Sequence, residues 1–411
     1  MNMSIGFSAA AAGGGGGGTS ATLRRRNSRT VLEAVRQSGS PVRVAEIAKA
    51  TGLSRPTVET VAEGLLSQGW LRQSEGDAAS APSVGRPARL YSFNETAGYV
   101  IGVDVGAHRI TVSVGDLLGD VVQTHRSGVT PDLSAESRLH ETVLAVQEVI
   151  RLARIDLSLV LAVTVGTPGV VSPTMDVIGI SPGLPGWPGV NIKDGLKGVV
   201  PCDVEIENDA NLAAVGERER GVAAGCADMI FLLLGERLGA GIIANDALVR
   251  GHNGAAGELG YVSTPGTEDR DPRFGPLESA VNASALVQMG ADALPGPSST
   301  AREPLTAVEI TRAATTGDPA AVAVVEKLAA TLAHGIAPSL LTLNPRMLVI
   351  GGGVSLAGEV LRSALSAAIE RTVLYPPEIL LSALGDDAVV IGAIAQSLGR
   401  VEAEVLARVS A

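Results

Sequence analysis

The chain has 411 residues, a formal net charge of −11 and only 2% aromatic residues. It is long enough for two or three cores, which must be built from Val, Leu, Ile and Ala. No unbroken apolar run approaches the roughly 18 residues of a membrane span. Its two cysteines, Cys202 and Cys226, are too few for a disulfide framework and favour a reducing, cytoplasmic setting.

Charge is unevenly spread. Thr22–Phe93 holds eleven Arg or Lys against six Asp or Glu, a balance of +5, and nothing before Thr22 is charged. Against a total of −11, the rest of the chain therefore carries −16. A basic module joined to an acidic body suggests a nucleic-acid reader attached to something else.

Residues 1–21 include a glycine run from Gly13 to Gly18 and lack the basic start of a signal peptide. Gly and Ala at that density cannot offset their ordering entropy, so a disordered tail is expected. Residues 22–93 read as the basic module. A helix is predicted over Asn27–Gln37, then a short helix, a glycine turn at Gly52 and a cap at Ser54. Pro56 is tolerated in the first turn of the next helix. That helix buries Val58, Val61, Ala62, Leu65 and Leu66 and offers Arg55, Thr57, Glu59, Thr60 and Glu63 outward. Helix, glycine turn, capped helix is a helix-turn-helix pattern, whose second helix enters the major groove by its N-terminal end. Leu71 and Leu90–Phe93 are short strand candidates that would form a wing. The expected DNA contacts are Ser54, Arg55, Thr57 and Thr60, with Arg86 and Arg89 from the wing. The competing reading is a helical protein–protein module with a basic linker.

From residue 94 to 411 the pattern is α/β. Tyr99–Gly106 is a strand running into a glycine turn, Arg109–Asp116 pairs back, and Val121–His125 follows. A helix from Ser134 to Ala153 and a strand from Leu159 to Val165 come next. A similar order returns later: strand Met229–Leu234, turn Gly235–Gly239, strand Ala240–Ala244, helix Ala320–Leu343 and strand Met347–Ile350. This suggests two related lobes with a cleft between them. Between the two sets, Val204–Glu207 alternates like a strand and Ala210–Arg220 is rich in helix formers. Asn208 and Asp209 sit at the handover, the rim of a ligand crevice in open α/β sheets. A carboxylate there can accept a hydroxyl proton or hydrogen-bond the hydroxyl. It can also be a plain helix N-cap.

Six pieces in order make a more specific match. They are Val103-Asp-Val-Gly106, Gly166-Thr-Pro-Gly-Val-Val171, Pro185-Gly-Trp187, Glu207-Asn-Asp-Ala-Asn211, Gly254-Ala-Ala-Gly-Glu-Leu-Gly260 and Gly351-Gly-Gly353. They resemble the ROK family of bacterial sugar kinases and sugar-responsive transcription regulators. The resemblance implies a two-lobed, actin-like (ribonuclease H-like) sugar kinase fold, here behind a winged helix-turn-helix as in the regulator branch. It further implies sugar contacts at Asn208, Asp209, Glu258, Tyr261 and Glu278. The departures are informative. Kinases of the family show turns resembling Asp-x-Gly-Gly-Thr-Lys and Gly-Thr-Gly-x-Gly. This chain has Asp104-Val-Gly106-Ala107-His108-Arg109 and Gly235-Glu-Arg-Leu-Gly239. Glu236 would bring a carboxylate to phosphate oxygens, so phosphoryl transfer should be lost. Gly183 stands where Asn is common, and Tyr261 replaces a histidine of the family's zinc site. Thr264–Glu278 contains neither Cys nor His, so no metal is expected. A different loop packing must then hold Glu278.

The expected protein is a non-catalytic, cytoplasmic regulator without cofactor, a homodimer or homotetramer. Operator DNA and a sugar or sugar phosphate would be its partners. The alternatives are a sugar kinase with a DNA-binding appendage, using Asp209 as base, and a regulator whose cleft has lost its ligand and answers to a partner protein.

Overall fold

The computed structural model describes residues 20–75, 89–172, 178–181, 183–263, 265, 274–293 and 305–408. Of the expected tail only Ser20 and Ala21 fall within it, and they already belong to the first helix, α1 (Ser20–Ser38). The helix starts seven residues before the predicted Asn27. α2 (Val44–Thr51) ends at Gly52, whose φ of 71° supplies the left-handed stop, and α3 (Arg55–Ser67) follows. Val42–Arg43, just ahead of α2, is a short strand, β1. It pairs with β3 (Arg89–Phe93), which also pairs antiparallel with β2 (Leu71–Glu75). The two-strand wing is therefore present. Val31, Val35, Ile47, Val58, Ala62, Leu65, Leu71 and Tyr91 form its core, while Val61 is only half-buried.

The body has two lobes. In the first, β4 (Tyr99–Val105), β5 (Arg109–Asp116) and β6 (Val121–Gly128) form an antiparallel meander. β7 (Val160–Thr167) and then β10 (Val204–Asn208) add in parallel, giving the order β10-β7-β4-β5-β6. A small hairpin, β8 (Val170–Val171) with β9 (Ile178–Ile180), precedes β10. α4 (Ala135–Ala153) and α5 (Ile192–Leu196) accompany this sheet. In the second lobe, β11 (Met229–Leu234), β12 (Leu238–Ala244) and β13 (Ala247–Leu248) repeat the meander. β14 (Met347–Gly351) and β15 (Glu378–Leu381) add in parallel, so the order β15-β14-β11-β12-β13 reproduces that of the first lobe. The faint repeat in the sequence is a repeat of topology.

Helices α7 (Glu278–Val281), α8 (Ala283–Ala293), α9 (Ala307–Thr315), α10 (Pro319–Leu343) and α11 (Gly358–Ile369) belong to the second lobe. α10 is long and apolar enough to cross a membrane, but Val324, Val325, Leu328, Leu332, Ile336 and Leu340 are buried in this lobe's core. Each such side chain contributes about 1.5–3 kcal/mol when removed from water.

Between the lobes lie α6 (Asp209–Arg220) and α12 (Ala388–Arg408). They touch backbone to backbone: a Cβ added at Gly392 would collide with the Leu212 carbonyl, and one at Gly216 with the Ala388 carbonyl. On the first sheet, Ser397 of α12 shares a 2.7 Å hydrogen bond with Thr164 of β7. Further along, Leu398 and Val401 pack with Trp70 and Phe93 of the winged module, and Glu402 pairs with Arg36.

Candidate functional site

β10 hands over to α6 at the cleft. Asn208 is the N-cap: its Oδ1 accepts the Asn211 amide at 3.0 Å, and its Nδ2 donates to the Gly169 carbonyl at 3.0 Å. Asp209 is therefore the first helical residue and not the cap, which corrects the plain-cap reading. Its Oδ1 accepts the Ala210 amide at 2.8 Å. Beneath both lies Glu207, 4% exposed. Glu207 is held by Arg250 Nε at 2.6 Å, Asn211 Nδ2 at 2.9 Å and the Asn208 amide at 2.8 Å. A buried carboxylate tied three ways keeps the strand end rigid.

Burial pushes the Asp209 carboxyl up to about 6, against the pull of backbone amides and the Arg237 guanidinium. Asp104, at the end of β4, goes to about 7, first through burial and then through the charge of Asp209, with Arg109 opposing. Glu258 is raised too, by burial and then by Asp209 and Glu278, while Arg237 draws it down. Carboxylates from β4, from α6 and from the loop ahead of the 3-10 turn Leu259–Tyr261 thus share one electrostatic environment. Such a cluster suits a polyhydroxylated ligand, whose hydroxyls each donate to an oxygen.

Glu278 is 3% exposed at the start of α7. Its Oε1 accepts the Leu238 amide and Arg237 Nε, both at 2.9 Å, and its Oε2 accepts the Gly275 amide at 3.3 Å. Arg237 also stacks on Phe274, 4.8 Å from the ring centroid. Glu278 is thus neither a solvated charge nor a helix cap. Leu277, fully buried, anchors the same loop against Gly335 of α10. Tyr261 is 54% exposed. Among the described residues no cluster of His, Cys, Asp and Glu could hold a metal ion.

The two turns expected to take phosphates look different. The Gly106 amide donates to the Arg109 carbonyl at 2.9 Å, and the Gly235 amide to the Arg237 carbonyl at 3.0 Å. Both turns close on themselves as hairpins. Arg138, wholly buried, clamps the first by donating to the Gly106 carbonyl at 2.7 Å and the Thr130 carbonyl at 2.8 Å. Across the lobes His108 Nε2 lies 2.7 Å from Glu236 Oε1, Arg109 pairs with Asp386 at 3.0 Å, and Arg126 with Asp387 at 2.6 Å.

In the winged module, Ser54 caps α3 by accepting the Thr57 amide at 3.3 Å. The Thr57 hydroxyl lies 2.7 Å from that of Ser54, and the Thr60 hydroxyl donates to the Pro56 carbonyl at 3.0 Å. Arg55 is exposed at the helix start. Arg89 of β3 reaches Glu63 of α3 at 3.3 Å, so the wing leans on the recognition helix. Arg86 lies outside the described residues. Sequence reasoning overlooked Asp104 and Arg237 as members of the cleft. Asp104 stood in a quoted motif, and Arg237 was counted only as a degenerate turn.

The ROK family profile matches residues 100–398, and an IclR helix-turn-helix profile matches residues 28–75. The chain belongs to the ROK family. It is 26% identical to the xylose repressor of Caldicellulosiruptor bescii over 85% of this chain and 90% of that protein. It is 32% identical to a glucokinase of Halalkalibacterium halodurans over 53% of this chain and 75% of that enzyme. A solved ROK family transcriptional regulator, described as a homolog of the Escherichia coli MLC protein, shares the fold. It superposes with a TM-score of 0.75 at 21% identity, covering 94% of this chain and 99% of that one. A helix-turn-helix ahead of a ROK body makes this chain a sugar-responsive, DNA-binding regulator.

Proposed function

We propose that a sugar or sugar phosphate binds between the lobes against Asn208, Asp209 and Glu258, with Tyr261 and Glu278 completing the pocket, and that no phosphoryl transfer follows. The observation that carries the second half is the pair of closed turns: the Gly106 and Gly235 amides are spent within their own hairpins, and His108 meets Glu236 between them. Phosphoryl transfer depends on positioning and charge neutralisation, and a carboxylate in that position opposes both. Ligand closes the lobes and alters the disposition of the winged modules, as only a ligand with unequal affinity for the two states does. Residues 22–93 read DNA through Ser54, Arg55, Thr57, Thr60, Arg86 and Arg89. Residues 94–411 sense the ligand and pair two copies over a palindromic operator in the cytoplasm. Titration of operator DNA by fluorescence anisotropy, with and without a panel of sugars and sugar phosphates, tests this. Binding blind to both sequence and sugar would overturn it.

A kinase reading draws on Asp209 itself, a carboxylate at a helix N-terminus that burial pushes up to about 6, which suits a general base. A coupled ADP-release assay decides between them: sugar-dependent turnover abolished by Asp209→Asn would establish catalysis.

A further inference from the structure

The two charged residues of the turn between β11 and β12 go opposite ways. The Glu236 side chain is 62% exposed and reaches His108 in the first lobe. That of Arg237 is 29% exposed and turns inward to the buried carboxylate of Glu278. The Arg237 stem runs beside Gly183, where an added Cβ would stand 3.8 Å from its Cδ, and its guanidinium lies over Phe274. Four elements therefore meet at one side chain: the turn, the loop before α5, the Phe274–Leu277 loop and α7.

We propose that Arg237 is the positioning residue of the ligand pocket: it fixes Glu278 and supplies the counter-charge that keeps Asp209 and Glu258 as hydroxyl acceptors. The proposal deepens the sugar-site reading and rests on it. Glu278 takes three donors, two of them backbone amides from separate segments, so its geometry sets how β12 and the Phe274 loop face the cleft. Among the described residues, the Arg237 guanidinium is the cation that draws down both Asp209 and Glu258 and pairs with Glu278, so it offsets the crowding of these carboxylates. Asp104, Arg109, Asp386 and the His108–Glu236 pair lie toward the other lobe. The small residue at 183 and the long one at 237 form a matched pair, since a side chain at 183 would grow toward the Arg237 stem.

The test compares wild type with Arg237→Lys and Arg237→Gln in full-length protein. Without ligand, melting temperature is followed from about pH 5 to about pH 8, the span over which a raised carboxyl ionises. The Gln variant should match the Lys variant at the acid end and fall progressively below it as pH rises. A purely structural arginine would give pH-independent losses in both, and that result overturns the proposal. With a sugar that shifts the wild-type melt, both variants should lose affinity about tenfold or more through Glu278, an interaction worth over 1.4 kcal/mol. In the Gln variant the pH midpoint of binding should also move upward. Wild type that binds no sugar, alongside the expected pH-dependent melts, sinks the sugar reading and leaves the electrostatic role of Arg237 standing. Unchanged affinity in both variants sinks the positioning role.

Discussion

Asp209 illustrates how a single carboxylate is set by what surrounds it. It sits on the first turn of α6, its charge is felt by the buried Asp104, and both carboxyls are raised, to about 6 and about 7. A raised carboxyl stabilises the fold fully below its unfolded value near 3.8 and loses that contribution as pH climbs through 6 to 7. Wild type should therefore melt lower at pH 8 than at pH 5 through these groups. Asp209→Asn should remove the thermal shift given by sugar yet raise the ligand-free melting temperature at alkaline pH. The gain should be about 1–3 kcal/mol, shrinking toward the acid end. Calorimetric scans at several pH values check the sign. A variant less stable than wild type at pH 8 would show that the cluster is not frustrated. The sequence made Asp209 visible through its strand-to-helix position. It left the cap assignment open, because Asn208 and Asp209 are both good N-caps and only the Asn211 amide contact decides between them.

Helix caps and helix contacts govern the next scale. Ser54→Ala removes the acceptor that starts α3 and should cost about 1 kcal/mol, lowering the melting temperature of the winged module by a few degrees. Arg55→Ala should leave stability unchanged and reduce the slope of log affinity against log salt on operator DNA by about 1, measured by anisotropy at several ionic strengths. At the α6–α12 crossing, Gly392→Val drives a side chain into the Leu212 carbonyl and should destabilise the body by about 1–3 kcal/mol or more, read from a urea melt. The helix-turn-helix, the first meander, the β11–β12 hairpin and α10 were legible because each has its own periodicity, turn glycine or cap. α12 was not predicted. Its apolar positions Val389, Val390, Ala393, Ile394, Leu398 and Val401 keep helical spacing, but nothing local says which surface they cover. The hairpin β8–β9 and strand β1 escaped for another reason: three residues or fewer carry no readable alternation. Arg237 was hidden because its partners, Glu278 and Phe274, lie far along the chain.

Among the described residues, α12 and the turn before it touch the cleft, α6 and the winged module. Asp386 and Asp387, just before it, pair with Arg109 and Arg126 at the cleft. Its middle crosses α6, and its far end meets Trp70, Phe93 and Arg36 of the winged module. Arg36→Glu should therefore leave sugar affinity within about twofold while weakening the change in operator affinity that sugar produces. Partly shielded ion pairs broken on one side cost more than exposed ones. The reversed pair, Arg36→Glu with Glu402→Arg, should restore the response. Equal sugar responses in the single variant and wild type would assign the coupling to another contact.

The same helix has a consequence for how the protein is made. The sheet of the first lobe emerges from the ribosome long before Ile394, Ser397 and Leu398 of α12, which pack on one of its faces. Until then Val100 and Ala162 have no Ile394 or Leu398 to pack against. The nascent body must wait, half-dressed, through the synthesis of an entire second lobe, and such long-range closure is slow and exposed to aggregation. A chain truncated just ahead of Ala388 should yield a folded DNA reader tethered to an insoluble remainder, read as the soluble fraction beside that of the full chain.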